Sequence, residues 1–319
     1  VRALITGGAG FIGSHLADHL IANGDEVIAL DNLSTGRHGN IEHLIGRPDF
    51  EFVLGSILNA DLVDDCVSRA DVVFHLAAAV GVELIVRKPV ESLRTNIVGS
   101  ETVIEKAHKY GKPVLVTSTS EIYGKNTSDS LSEDDDRILG SPLKSRWAYS
   151  EAKAIEEILA YTYFREKGLP TVIVRLFNTV GPRQVGHYGM VVPRFVNQAL
   201  RGQALTVFGD GAQTRCFVDV GDVVPALDTL IRTEGAHGNV FNLGSSDEVS
   251  IAELAARVIE LTGSTSQIRK VPYSEAYEEG FEDMERRVPN TSRVHDLIGW
   301  APQRGLDDII QRVIEEQRS

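Results

Sequence analysis

The chain reads as an α/β protein built on a doubly wound parallel sheet, and three features predict that. Short β-branched runs alternate with amphipathic helical stretches as far as Arg175, a glycine-rich turn joins the first run to the first helix, and the second run ends on an acidic residue, Asp31. The strand candidates are Arg2 to Thr6, Glu26 to Leu30, Phe50 to Leu54, Asp71 to Leu76, Pro113 to Ser118 and Thr171 to Leu176. Helix-length segments lie between them, among them Phe11 to Asn23, Pro89 to Tyr110 and Trp147 to Lys167. Such alternation implies βαβ units with right-handed crossovers, so helices cover both faces of one parallel sheet.

After Asn178 the pattern loosens into Gly- and Pro-punctuated loops, with a helix near Val191 to Arg201 and a strand at Leu205 to Phe208. Gly238 to Leu243 again has the apolar character of a buried strand, so the chain is expected to return to the sheet before the final helices. We therefore expect a nucleotide-binding domain over residues 1–177 with a returning segment near 211–245, and a smaller, interleaved substrate-binding domain over 178–319. The acidic run Glu133 to Asp136 reads as a solvated loop or lid edge.

At 319 residues with 42% apolar side chains, the chain can bury a substantial core. A formal charge of −13, from 45 acidic against 32 basic side chains, argues against nucleic acid or an anionic membrane as partner. A nucleotide ligand then requires a local cluster of Arg. Cys66 and Cys216 have neither disulfide-framework nor metal-ligand spacing, which predicts a reducing, cytoplasmic location and no metal. The first strand candidate starts at Arg2, and no apolar run reaches the roughly 18 residues of a membrane span, so neither a targeting segment nor a membrane anchor is expected.

In the turn, Gly7, Gly10 and Gly13 recur at every third position between strand and helix. Glycine there allows a tight turn, close approach of backbone to a pyrophosphate and close helix packing, while the helix N-terminus offers N–H groups. Asp31, about 20 residues further on, suits the adenosine ribose hydroxyls and disfavours a 2′-phosphate. This predicts a Rossmann-like site for NAD in preference to NADP, although Arg37 offers a charge to a phosphate.

Tyr149 and Lys153 are at i and i+4 of a predicted helix, hence on one face. A free tyrosine titrates near 10, about three units too high for a base at neutral pH; a neighbouring ammonium and a positive nicotinamide both favour its phenolate. The strand from Pro113 runs into Ser118-Thr119-Ser120-Glu121, which places hydroxyls and a carboxylate at the C-terminal edge of a parallel sheet, where such folds bind ligands. Thr119 can bridge a substrate hydroxyl and Tyr149, and Glu121 is a candidate acid/base group or sugar contact. His75 reads as a satisfied interior residue and Cys216 as packing.

These residues resemble the extended short-chain dehydrogenase/reductase family, specifically its nucleotide-sugar epimerases, dehydratases and decarboxylases. The motifs that carry the resemblance span the chain: TGGAGFIGSHL from Thr6, DNLSTG from Asp31, HLAAAV from His75, STSEIYG from Ser118, YSEAK from Tyr149, RLFNTVGPRQ from Arg175, LTVFGDGAQTRCFVDVGD from Leu205 and RRVPN from Arg286. The resemblance implies a catalytic triad of Thr119, Tyr149 and Lys153, with NAD oxidising the sugar C4 hydroxyl to a ketone. It implies cofactor contacts from Gly7, Gly10, Phe11, Ile12, Gly13, Asp31, Asn32, Ser34, Thr35, Gly36, Ser56, Ile57, Leu76, Ala77, Ala78 and Thr117, beside Tyr149 and Lys153. Ser56 departs from the Asp usual beside the adenine. For a UDP-sugar it implies Thr119, Ser120, Asn178, Val192, Thr206 and Phe208, with Arg215 and Arg287 on the diphosphate and Arg183 on a uronic-acid carboxylate. It further implies a homodimer through Ser92 to Tyr110 and Trp147 to Lys167.

The reaction after the C4 ketone is a branch point. Ser120-Glu121 differs from the Asp-Glu of the dTDP-glucose dehydratases; it is shared with UDP-glucuronate decarboxylases, which however carry Pro-Ala-Ser-Pro after His-Leu-Ala, where this chain has Ala78-Ala79-Val80-Gly81-Val82. The leading expectation is a 4-epimerase converting UDP-glucuronic to UDP-galacturonic acid, with UDP-glucose and UDP-galactose next. A UDP-glucuronate decarboxylase forming UDP-xylose or a 4-keto-pentose is the alternative, then a 4,6-dehydratase. An NAD-sensing binding protein without turnover is the reading from another class, and retention of Tyr149 and Lys153 speaks against it.

Overall fold

The computed structural model describes residues 1–80, 88–144, 147–186, 190–272, 275, 284 and 286–318. Its centre is a seven-stranded sheet in the order β11-β6-β5-β4-β1-β2-β3, every pair parallel. The strands are β1 (Arg2–Thr6), β2 (Glu26–Asp31), β3 (Phe50–Leu54), β4 (Val72–His75), β5 (Val114–Thr119), β6 (Thr171–Leu176) and, after other elements, β11 (Asn239–Leu243). Strand order reverses between β1 and β4, and sheets of this kind bind ligands in the crevice beyond the carboxyl ends of the strands at such a switch point.

Alternate residues of each strand enter different cores. Ala3 and Ile5 of β1 face helices α1 (Phe11–Ala22) and Val220–Arg232, packing with Leu16, Leu20, Val223 and Leu227. Leu4 joins Val63, Val67, Val103 and Ile104 on the opposite face. Burial on both faces explains why β1, β4 and β6 read as unbroken apolar runs.

Beyond β6 a third core assembles from the helix Val191–Leu200, strand β8 (Leu205–Phe208), the helix Ile251–Thr262 and the last helix, Leu306–Arg318. β11 returns to the edge of the main sheet beside β6, with Phe241 opposite Val174. The helical stretch from Pro89 to Lys109 is interrupted by a π-helical turn at Thr95–Gly99. It turns Asn96 inward, where its amide bonds both the N–H (2.7 Å) and the C=O (3.1 Å) of Ala79. Gly81 and Val82, which entered the comparison of reactions, lie outside the described residues. Among the described residues no helix is long and apolar enough to cross a membrane.

Candidate active site

The turn after β1 admits nothing but glycine at its tightest points. Gly7 has φ +73° and a Cβ there would lie 2.9 Å from the Ala77 nitrogen, while a Cβ on Gly13 would meet the Gly7 carbonyl oxygen at 2.1 Å. Gly10 caps α1 without any side-chain hydrogen bond, so the first N–H groups of the helix, at Phe11, Ile12 and Gly13, face outward for an anion. Asp31, at the end of β2, is buried and accepts N–H bonds from Ala9 (3.0 Å) and Leu33 (2.7 Å). Burial pushes its carboxyl up and the two amides hold it down. Gly36 closes on that carboxylate, where a Cβ would come 2.7 Å from Oδ2; Asn32 accepts the Ser34 N–H in the same loop, which also carries Thr35.

The neighbouring strand ends complete a cradle that fits a dinucleotide. After β3, the Ser56 hydroxyl accepts the Leu58 N–H (3.2 Å) and Ile57 is buried against Gly99. After β4, Leu76 and Ala77 donate to the backbone and side-chain oxygens of Thr6, and Ala78 follows in the loop that Asn96 pins. Thr117 of β5 donates to the His75 carbonyl at 3.2 Å.

Thr119 is the last residue of β5, and its hydroxyl accepts the Glu121 N–H (3.2 Å), starting the short 3-10 turn Ser120–Tyr123. The Ser150 hydroxyl donates to the Glu121 carbonyl (2.9 Å), which ties this turn to the start of the helix Ala148–Lys167. Tyr149 and Lys153 are one turn apart on that helix. Lys153 is buried and its ammonium lies 2.7 Å from the Glu156 carboxylate. Burial, then the charges of Glu121 and Glu156, push the Tyr149 phenol well above its ordinary range. Deprotonation there needs added positive charge, which an oxidised nicotinamide supplies.

Arg287 enters from the C-terminal segment, buried, with Nη1 3.1 Å from Glu121 Oε1 and 3.4 Å from Ser120 Oγ. Its guanidinium therefore lies at the end of β5, beside Ser120 and the acid/base candidate Glu121. Arg215 is buried on β9 (Thr214–Cys216), donating to the Thr214 carbonyl (2.7 Å), and Asn178 donates to the carbonyl of Cys216 (2.8 Å). On β8, Thr206 bonds Gln198 through backbone and hydroxyl, and Phe208 lies under the Arg194 guanidinium at 4.5 Å from ring centroid.

Two residues expected at the substrate are engaged within the protein. The Val192 side chain is wholly buried in the C-terminal core, leaving at most its backbone to a ligand. Arg183 takes φ +67° and its guanidinium is engaged with Asp18 of α1 at 2.7 Å, while its N–H bonds Glu316 of the last helix. Asp18 is eight residues beyond the Gly10 cap, about 12 Å along the helix.

Sequence reasoning passed over Glu156 and Ser100. The signal available was the pair Glu156-Glu157 directly after Lys153, which an amphipathic helix would normally present to water. His75 is an interior residue as expected, with both ring nitrogens bonded, to Thr6 (2.7 Å) and Ser100 (2.9 Å).

Residues 3–244 match the model of the NAD dependent epimerase/dehydratase family. The chain is 42% identical over 315 residues to a UDP-N-acetyl-alpha-D-glucosaminuronate decarboxylase of Bacillus cytotoxicus, covering 97% of each protein. It is 36% identical to UDP-glucuronic acid decarboxylase 1 of Danio rerio, covering 98% of this chain and 72% of that protein. Among solved structures, a UDP-glucuronic acid 4-epimerase from Bacillus cereus, in complex with UDP-glucuronic acid and NAD, superposes with a TM-score of 0.89 at 28% identity over 100% of this chain and 99% of that one. The UDP-glucose 4-epimerase of Thermotoga maritima with UDP-glucose gives 0.90 at 32% identity, over 100% and 99%. With the cofactor cradle in place, these matches make the chain a member of the NAD dependent epimerase/dehydratase family, a nucleotide-sugar enzyme with NAD as its cofactor.

Proposed function

We propose that the protein is a decarboxylase of UDP-linked uronic acids, with the 2-acetamido uronate ahead of glucuronate as substrate. This replaces the 4-epimerase expected from the sequence. The observation that carries it is the cluster of Arg287, Glu121 and Ser120 at the mouth of β5, next to Tyr149. A decarboxylase must seat a carboxylate and later deliver a proton to C5, and this cluster holds a guanidinium for the first task and a carboxyl for the second. The identity of 42% to a UDP-N-acetylglucosaminuronate decarboxylase supports the same reading.

Tyr149 takes the proton of the C4 hydroxyl, with Thr119 holding that hydroxyl and Lys153 favouring the phenolate. NAD, held by the turn of Gly7, Gly10 and Gly13 and by Asp31, would supply the hydride acceptor and donor for C4. The resulting C4 ketone makes the C5 carboxylate that of a β-keto acid. Arg287 seats that carboxylate; the C5–C6 bond breaks, carbon dioxide leaves, and the electron pair becomes the enolate across C4 and C5. Glu121, taking a proton from water once Arg287 has turned to the substrate carboxylate, passes it to C5, and Tyr149 returns its proton to the C4 oxygen as C4 is reduced, giving the pentose.

A 4-epimerase is the second reading, favoured by the TM-score of 0.89 to the UDP-glucuronic acid enzyme. Incubation with UDP-glucuronate and, separately, its 2-acetamido analogue decides between them. Carbon dioxide release with a UDP-pentose product is the expected outcome; an isomer of unchanged mass makes the protein an epimerase.

The same reading includes a homodimer. Ile155, Ile158 and Tyr161 line the outer face of the catalytic helix, Ile158 at 61% exposure, and Val90 and Val98 are exposed on the adjoining helical stretch. Two copies joined through these helices would cover this apolar face. A dimeric mass in solution, made monomeric by Ile158→Glu, is the expected result.

A further inference from the structure

A chain of hydrogen bonds runs beneath the site and ends on the catalytic lysine. It starts where the Ala77 N–H donates to Thr6 Oγ1 (3.2 Å), at the glycine turn. Thr6 Oγ1 is 2.7 Å from His75 Nδ1, His75 Nε2 is 2.9 Å from Ser100 Oγ, and the Ser100 hydroxyl is 3.1 Å from Glu156 Oε2, with the Asn96 carbonyl as its other acceptor (2.6 Å). Lys153 Nζ meets the same Glu156 oxygen at 2.7 Å. With the Thr6 hydroxyl donating to Nδ1, His75 carries its proton on Nε2 and donates to Ser100, whose one hydroxyl proton is shared between the Asn96 carbonyl and Glu156. All five side chains are buried, from 0% at Thr6, His75 and Ser100 to 2% at Lys153.

The chain's far end is incomplete. Glu156 Oε1 is out of reach of solvent and has no hydrogen-bond partner among the described residues. A carboxylate held on one oxygen only is there for its charge and its grip on one neighbour, since a purely structural pair would engage both.

We propose that Glu156 is a positioning residue, holding the Lys153 ammonium at the end of a hydrogen-bonded chain that begins at the cofactor turn and offsetting the charge that Lys153 presents to Tyr149. This rests on the reading of Tyr149 and Lys153 as the proton-transfer pair. The groups facing Glu156 are Lys153 and Glu157 on its own helix, Ser100 on the neighbouring helix with His75 of β4 behind it, and Tyr149, which Glu121 faces from the β5 edge. Burial raises the Glu156 carboxyl against the pull of Lys153 and Ser100, and holds the imidazole of His75 down to about 3, so the chain is neutral except at its terminal ion pair. With the ammonium partly cancelled, Tyr149 stays protonated until the positive nicotinamide arrives. Proton removal is thereby confined to the loaded enzyme.

The test is the pH dependence of kcat for the NAD-loaded enzyme. Glu156→Gln keeps the shape and removes the negative charge, and its acidic limb is expected at lower pH by roughly one unit. Glu156→Asp restores the charge and returns the limb toward the wild-type position. If Glu156→Gln does not fold, Ser100→Ala carries the test; losing the donor weakens the Glu156 anion, and a smaller displacement in the same direction is expected. A limb that coincides with wild type, or moves to higher pH, overturns the proposal. Tyr149→Phe separates the two levels: if it keeps turnover, the proton-transfer assignment fails, whereas an inactive Tyr149→Phe with an undisplaced Glu156→Gln limb removes only the role of Glu156.

Discussion

Glu156 and Glu157 are consecutive, both buried and both paired with a cation, yet the regions they serve are built differently. Glu157 grips Arg175 of β6 with both oxygens, at 2.9 and 2.8 Å. Arg175 also donates to the Tyr123 hydroxyl (2.9 Å) and the Glu133 carbonyl (2.8 Å), and Tyr123 donates to Asn242 of β11 (2.7 Å). Asn242 in turn donates to the carbonyls of Leu131 and Asn290, so one network joins the sheet edge to the loop from Leu131 and to the C-terminal segment. Burial alone would lower the guanidinium, but Glu157 outweighs it and holds Arg175 firmly charged. Saturation of this kind immobilises; the half-satisfied pair of Lys153 and Glu156 leaves an ammonium whose field can be used.

Removing the cation on each side makes the difference measurable. Lys153→Met is expected to lower kcat by about 10²–10⁴-fold, because the phenolate loses its adjacent charge, with a small change in Tm, since Glu156 can neutralise itself by taking a proton. Arg175→Met has the opposite profile. It severs the tie between β6, Tyr123 and the loop at Glu133, and breaking a buried pair costs about 3–5 kcal/mol of stability, read as a fall in the denaturation midpoint. Equal losses of stability in the two variants would erase the distinction.

Arg287→Met tests the crevice between the regions. Loss of a charge-assisted contact to the substrate carboxylate is worth about 1.5–3 kcal/mol, or roughly 10–100-fold in KM. Unchanged KM for the uronate would return Arg287 to the diphosphate or to a structural role.

A last expected effect is on acid stability. His75 is held down to about 3, chiefly by burial and then by the Lys153 charge, below the ordinary imidazole value of 6.5. The unfolded chain binds a proton there that the folded chain does not, so stability rises with pH between these values and is lost as pH falls from 6.5 toward 3. Denaturant titrations of His75→Gln should show a shallower loss across that window, and an identical slope would remove His75 from the account.

Much of this was legible without coordinates. The strands β1 to β6 follow from apolar runs that fill both faces of a sheet, and the NAD cradle from Gly7, Gly10, Gly13 and Asp31, because local backbone geometry and side-chain periodicity are properties of neighbouring residues. Tyr149 and Lys153 follow from helical spacing for the same reason. Arg287 could be seen as a phosphate-seeking cation, but its seat beside Glu121 depends on residues more than 160 positions apart meeting over the end of β5. The partners of Arg183 were hidden for a similar reason, since Asp18 and Glu316 come from opposite ends of the chain.

The sequence by itself determined the fold class, the cofactor turn and the placing of Tyr149 and Lys153 one helical turn apart, each written in contacts a few residues long. Tertiary structure alone decided which of two adjacent glutamates holds the sheet edge and which holds the lysine. Their immediate neighbours along the helix are nearly the same, and only Ser100 from the neighbouring helix and Arg175 from β6, both distant in sequence, give each carboxylate a different charge environment.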